Sequence, residues 1–302
     1  QIGIGLLFIG VFAAIYHPVG IAMVVHGREK TGVPLAINGI FGNMGIAVAA
    51  LMTGLLIDTN GWRAAFVLPG ILSIGCGFAY ILFIRARRAA LAAEIGSGAA
   101  AKKAAAGTMT IDRNLIIRTF AIIFTTTAIG GFIMRSTTFA LPKIFDERLT
   151  DIANSATLIG TYSFLVFALA AFAQLVVGYL VDRYSIRLIF AFLAAMQAVF
   201  FVVMVNLTGP LALFISFGFM LMVFGQIPIN DVLVGRITRS EWRSRAYALR
   251  YIITFTVAST AVPLIAWIHT EWSFDILFTV MAIGATGTFA TVFFLPRAIA
   301  DS

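Results

Sequence analysis

Residues 188–206 read LIFAFLAAMQAVFFVVMVN, a run without one charged side chain. A helix that crosses a bilayer needs about 20 mostly apolar residues. In hydrocarbon every backbone N–H and C=O must be paired inside the protein, which leaves helices or closed barrels. Barrel strands alternate apolar and polar side chains, and neither 189–193 nor 218–224 does so. The stretch is read as a membrane-spanning helix. Eight others share its character, giving nine spans at roughly 2–25, 32–57, 64–84, 119–142, 155–181, 188–206, 211–235, 246–268 and 274–296.

The composition agrees. Of 302 residues, 61% are hydrophobic and 11% charged, against about 25% charged in an ordinary soluble domain. Charge this sparse cannot cover a water-soluble globule, so a soluble enzyme is excluded. The lone Cys76 excludes a disulfide scaffold.

The joins between spans are short, except one. Asp58-Thr59-Asn60-Gly61 and Asn206-Leu207-Thr208-Gly209-Pro210 are turns, and Trp62 is placed as an interfacial anchor. The long join, 85–118, contains an Ala/Gly/Lys stretch from Gly98 to Gly107 and reads as a cytoplasmic linker. It separates 1–84, with three helices, from 119–302, a six-helix bundle. Alternate joins on one side of the membrane carry 17 Lys and Arg, those on the other carry 3, and Arg135 lies inside a span. Basic loops stay in the cytoplasm, so the linker and the C-terminus are placed there. The net charge of +8 is then a topology signal, and no nucleic-acid partner is implied.

Residues 28–62 run basic loop, long helix, short loop, Trp, and residues 239–272 repeat that order at an offset near 210. Duplicated bundles about a basic linker are a secondary-transporter pattern. Gly178-Tyr179-Leu180-Val181-Asp182-Arg183-Tyr184-Ser185-Ile186-Arg187 resembles the G-x-L-[AV]-D-R-x-G-R signature of the major facilitator superfamily, with Ser185 and Ile186 departing from it. Ile15-Tyr16-His17-Pro18, Gly39-Ile40-Phe41-Gly42-Asn43-Met44-Gly45 and Arg135-Ser136-Thr137-Thr138-Phe139-Ala140-Leu141-Pro142 resemble the fosmidomycin-resistance-type drug exporters of that superfamily. The resemblance implies an all-α membrane protein of two six-helix bundles, with nine of twelve expected helices present, similar to helices four to twelve. The chain opens Gln1-Ile2-Gly3 inside an apolar run, so its N-terminus is expected to be incomplete. Antiporters of the family carry a Gly-Pro pair late in helix five, where this chain reads Ala49-Ala50-Leu51-Met52-Thr53-Gly54.

A charge at mid-bilayer costs at least about 2.5–3.5 kcal/mol, so polar groups inside spans ask for a reason. Spans resembling helices six, nine and twelve hold no charged residue apart from boundary Asp275, and their most polar interior members are Cys76, Gln197 and hydroxyls. In the family those helices lie outside the transport cavity. The other spans hold His17, Asn38, Asn43, Arg135, Gln174, Gln226, Asn230, Asp231 and Arg250. Arg135 sits about 12 Å below the outer end of its helix. It either pairs with an anionic group, on the solute or another helix, or snorkels. His17 precedes the helix-kinking Pro18 and either responds to a proton gradient or is a neutral partner of a neighbouring helix. Asn38 and Asn43 line the cavity or bond between helices. Gly39, Gly42 and Gly45 form a flat packing face. Gln226 and Asn230, four apart, share a face and suit a polar ligand. Gln174 completes the candidate solute set. Asp231 carries a coupling proton, or joins Arg183, Arg187 or Arg250 in a charge cluster that, with Asp182, latches the outward-facing state, or is plainly solvated.

The expected function is alternating-access secondary transport: proton-coupled export of a small organic or drug-like solute, anionic if Arg135 contacts it. Proton-coupled uptake of an organic anion, or a non-transporting receptor on the same fold, are the alternatives. No nucleotide-binding Gly-x4-Gly-Lys loop or clustered metal ligands occur, so enzyme chemistry, cofactors and metal are not expected. The partners implied are the solute, protons and the lipid bilayer. A monomer in a bacterial inner membrane is expected.

Overall fold

The computed structural model describes residues 2–26, 28, 30–61, 63–96, 113–238 and 242–296. They form α1 (Ile2–Val25), α2 (Gly32–Asn60), α3 (Ala64–Gly96), α4 (Arg113–Arg148), α5 (Ala156–Ala171), α6 (Ala173–Val181), α7 (Ile186–Met204), α8 (Gly209–Ile237), α9 (Arg243–Glu271) and α10 (Phe274–Val292). Among the described residues nine apolar helical spans are long enough to cross a membrane. The architecture is all-α, of the expected membrane-spanning type. α5 and α6 share one of these spans, Leu158–Val181, broken at Phe172. There the Phe172 N–H turns to the carbonyls of Leu169 and Ala170, a tightened turn that keeps the backbone paired.

Two helices outrun their expected edges by well over a turn. α3 continues to Gly96, past the edge near 84, because the segment from Arg85 is rich in Arg, Ala, Leu and Glu, all good helix formers. α4 begins at Arg113 instead of 119. Trp62 and the Gly98–Gly107 stretch lie outside the described residues.

The chain divides into two compact units, Gln1–Ala47 with Thr108–Ser302, and Val48–Gly107. The boundary falls inside α2, a different partition from the bundles 1–84 and 119–302, because α1 packs against α9 and the first part of α2 approaches α6. In the first unit α7 packs between α8 and α10, α4 lies against α8, α9 and α10, and α5 and α6 line α8. In the second unit, the α3 window Phe66–Arg88 has no buried residue among those described.

The first unit holds two apolar clusters stacked along its helices. One contains Phe145, Phe167, Phe201, Phe219, Phe224 and Phe278. The other contains Val25, Leu35, Ile186, Phe190, Val232 and Tyr247. α4, α7 and α9 enter through the second cluster and leave through the first, and α8 and α10 run the other way. Arg28, Arg183, Arg187 and Arg236 therefore gather at the end of the second cluster, the basic end. Lys143 and Arg148 sit at the far end. Tight packing, not exclusion of water, holds such helices together in lipid. The Phe201, Phe219 and Phe278 rings show it, with centroids 5.3 to 6.3 Å apart.

The far end is tied by a residue the sequence reading counted only as a loop charge. Arg148, buried at the end of α4, donates to the Met204 and Leu207 carbonyls of the α7–α8 turn and to Asp275 Oδ1 at 2.6 Å. Asp275 Oδ1 also accepts from the Asn206 N–H at 2.7 Å, where Asn206 takes φ 58. One guanidinium thus satisfies a turn that leaves carbonyls unpaired. Arg148→Ala is expected to lower the unfolding free energy by roughly 3 kcal/mol, the lower end for stripping a buried ion pair. Thermal unfolding of the detergent-purified protein would read this as a drop in Tm. Arg148→Lys should restore only part of it, since an ammonium lacks the fork.

Candidate functional site

Inside the first unit a polar network crosses three helices. Asp231 of α8 and Arg250 of α9 are both buried, at 3% and 6% exposure, and form a close ion pair through Arg250 Nη1 and Asp231 Oδ1. Arg250 Nε donates to Thr127 Oγ1 of α4 at 3.4 Å. Tyr247 Oη donates to the Asp231 carbonyl at 2.7 Å, and Tyr251 Oη to Asp231 Oδ1 at 3.4 Å. Beside them Thr126 donates to Asn230 Oδ1 at 3.2 Å. Two charges withdrawn from water keep each other tolerable only while both are present, so each holds the other's position.

Tyr251 extends this network to a groove between α1 and α9. The groove measures about 350 Å³ and is lined by Ala14, Ala248, Tyr251, Phe255, Thr256 and Ser259 among others. α9 presents Tyr251, Phe255 and Ser259 on one stripe because they recur every four residues. His17 of α1 stacks on Tyr251 with centroids 4.6 Å apart and lies 5.4 Å from Phe255. Its Nδ1 is buried without a hydrogen-bond partner. The Arg250 guanidinium lies 5.0 Å from the other partner of the stack, the Tyr251 ring centre.

At the basic end α2 crosses α6 at very short range. A Cβ on Gly178 would lie 2.6 Å from the Gly32 carbonyl oxygen and 2.7 Å from Ala36 Cβ. This closeness lets the Asp182 carboxylate accept from the Gly32 and Val33 N–H groups at 2.9 and 3.1 Å. The first N–H groups of a helix lack internal partners and carry positive potential, so a carboxylate there is both cap and counter-charge. Arg236 adds a bond from Nη2 to the Val181 carbonyl at 2.9 Å.

The expected site residues separate into distinct places. Asp231 pairs with Arg250 and not with Arg183 or Arg187. Arg183 folds back over the Tyr179 ring at 3.5 Å, and Arg187 lies over Phe293 at 5.3 Å. Gln226 and Asn230 share a helix face but part company: Gln226 accepts from Gln197 of α7, whereas Asn230 binds Thr126 of α4. Asn38 accepts from Tyr16 Oη at 2.8 Å. Asn43 is buried with its Nδ2 unpartnered. Gln174 is fully buried, its amide over Gly39, where a Cβ would collide with it. Gly42 and Gly45 meet nothing within 4 Å, so only Gly39 of the expected glycine face makes a close approach. Arg135 is exposed on α4 and outside the groove, and its guanidinium has no partner among the described residues. Tyr247, Tyr251 and Gln197 were missed. The four-residue spacing of the two tyrosines after Arg243 and Arg245 was the available signal.

A family model described as Major Facilitator Superfamily matches the chain over residues 2–230 and again over 127–301. A stretch of 43 residues is 46% identical to a protein of Chlamydia pneumoniae described as a probable hexose phosphate transport protein. That stretch covers 14% of this chain and spans a tenth of the relative's length.

The α2–α6 crossing is open to test in a Cys76→Ser background carrying Ala36→Cys. A maleimide applied to the detergent-purified protein should label position 36 slowly. Gly178→Val should raise the labelling rate severalfold by prising the helices apart. Asp182→Asn should raise it less, since it removes a cap worth about 0.5–2 kcal/mol and leaves the shape intact.

Proposed function

The chain belongs to the Major Facilitator Superfamily, and from that premise we propose that it is a secondary active transporter coupling a proton gradient to export of a small organic solute. A transporter of this family moves a small molecule across a membrane, and the nine apolar spans suit a multi-pass protein. The finer reading has one main support: the buried Asp231–Arg250 pair, which Tyr251 joins to an open groove. A paired charge at membrane depth needs a purpose beyond stability, because an apolar pair would pack as well. Protonating Asp231 removes the charge that holds Arg250, and Tyr251 carries the change to whatever occupies the groove. Asp231 and Arg250 therefore act as the coupling pair, and His17 and Tyr251 as solute contacts.

Alternating access requires two arrangements of the same helices. Here α1 and α2 close on α6, α8 and α9 at the basic end, through Ile21, Val25, Leu35 and the Asp182 cap. Toward the opposite end of α1, Leu7, Phe8 and Phe12 are exposed. With the basic end cytoplasmic, this is the outward-facing arrangement of an inner-membrane protein, and Asp182 with Arg236 is its latch. Arg183 and Arg187 flank that latch. Asn38, Asn43, Gln174, Gln226 and Asn230 serve as interhelix contacts near the path. Export itself rests on the likeness of the His17, Gly39–Gly45 and Arg135 stretches to fosmidomycin-resistance-type exporters.

Uptake of an organic anion is the second reading. The relative described as a probable hexose phosphate transport protein favours it, and the exposed, unpartnered Arg135 is then the anion contact.

Vesicles of opposite orientation separate the two. Under the first reading, inside-out vesicles holding the protein accumulate an uncharged aromatic drug such as chloramphenicol when a proton gradient is imposed, and a protonophore abolishes it. Under the second, right-side-out vesicles accumulate glucose phosphate and Arg135→Ala stops it. In either case Asp231→Asn should cut gradient-driven accumulation at least tenfold while solute exchange at equilibrium survives. Gradient-driven accumulation that persists in Asp231→Asn would remove this residue from the coupling.

A further inference from the structure

We infer that the groove between α1 and α9 is a subsite for a planar, uncharged aromatic or heteroaromatic ring system of one or two rings. This rests on the reading of the groove as the solute site, and adds the class of solute. Tyr251 and Phe255 line the groove with stacked rings, 5.7 Å apart at an interplanar angle of 29°. His17 stacks on the first of them at 29° and Tyr16 meets His17 edge-on, so the aromatic array continues across both helices. Offset-stacked and edge-on contacts between rings add to the gain from simple burial. From α1 the groove is lined by Ala14, whose small side chain leaves room for a flat body against the α9 wall of Ala248, Tyr251, Ile252 and Phe255.

The polar groups fit the same solute. Among the described residues no charged side chain lines the groove. Arg250, the nearest cation along α9, is buried and committed to Asp231. A phosphorylated sugar would bring several charges and no π face to these walls. Thr256 and Ser259 offer hydroxyls at the rim, although Ser259 Oγ already donates to the Phe255 carbonyl at 2.6 Å and is left as an acceptor. The volume of about 350 Å³ sits at the small end of ligand pockets and suits a body of one or two rings.

The test is binding, read separately from transport. Protein purified in detergent is titrated with naphthol and with its saturated analogue decalol, followed by the shift in Tm. Naphthol should bind about tenfold more tightly than decalol, the effect of two ring contacts. Phe255→Leu, a partly exposed position away from the ion pair, should reduce that preference severalfold without lowering the Tm of the free protein. Glucose phosphate should not displace naphthol. Equal affinity for the two probes would make the groove a plain apolar crevice, open to any acyl chain, and overturn the inference. A preference untouched by Phe255→Leu, or displacement by glucose phosphate, would overturn it as well. If the preference is absent while gradient-driven transport persists, the ring assignment alone falls. If the preference is present without such transport, the coupling falls and the subsite stands.

Discussion

A carboxylate and a guanidinium with almost no exposed surface constrain the helices around them. Asp231 and Arg250 cannot be separated without leaving a bare charge at membrane depth. That fixes the register of α8 against α9 near this point. It also recruits neighbours: Thr127 from α4 meets Arg250, and Tyr247 and Tyr251 meet Asp231. The close approach of Gly235 to Tyr247 follows, since a Cβ there would lie 3.2 Å from the tyrosine hydroxyl. The groove inherits its wall from this arrangement, because Tyr251 is held at its hydroxyl by the pair and presents its ring outward.

The spans were legible because hydrocarbon imposes a crude rule on composition. The nineteen residues of 188–206, uncharged and almost all apolar, admit few alternatives, and α7 occupies 186–204. Features set by local backbone pairing were less visible. Nothing in Ala170-Ala171-Phe172-Ala173 announces the break between α5 and α6. The continuation of α3 to Gly96 was hidden because Arg85, Arg87 and Arg88 end the apolar pattern without ending helical propensity.

The polar residues were legible as a set and not as pairs. Spacing along one helix says which side chains share a face and is silent about the helix opposite. Gln226 and Asn230 illustrate this, facing α7 and α4 respectively despite their four-residue interval. Gly39, Gly42 and Gly45 illustrate it again: only the first meets a partner, the Gln174 amide. Arg148 went unrecognised for a different reason. At the end of a span a basic residue reads as topology, and only the three-dimensional closure of Met204, Leu207 and Asp275 around it reveals a buried staple.

The two ends of the molecule are fastened by different chemistry, and that difference bears on which end opens. At the far end Arg148 binds α4, the α7–α8 turn and the start of α10, all drawn from the later half of the chain, through several charge-assisted bonds from a side chain locked by burial. Parting them would strand a charge and several carbonyls. At the basic end Asp182 holds α2 by two N–H groups of a helix terminus, and water can replace it as their acceptor. The glycine contact beneath adds shape and no directional bond, so separating α2 from α6 leaves no buried charge behind. A fastening of that kind can be made and broken at little cost, whereas the Arg148 staple holds its helices together. The α2–α6 crossing is therefore the easier of the two fastenings to part, and the helices tied by Arg148 are the harder to separate.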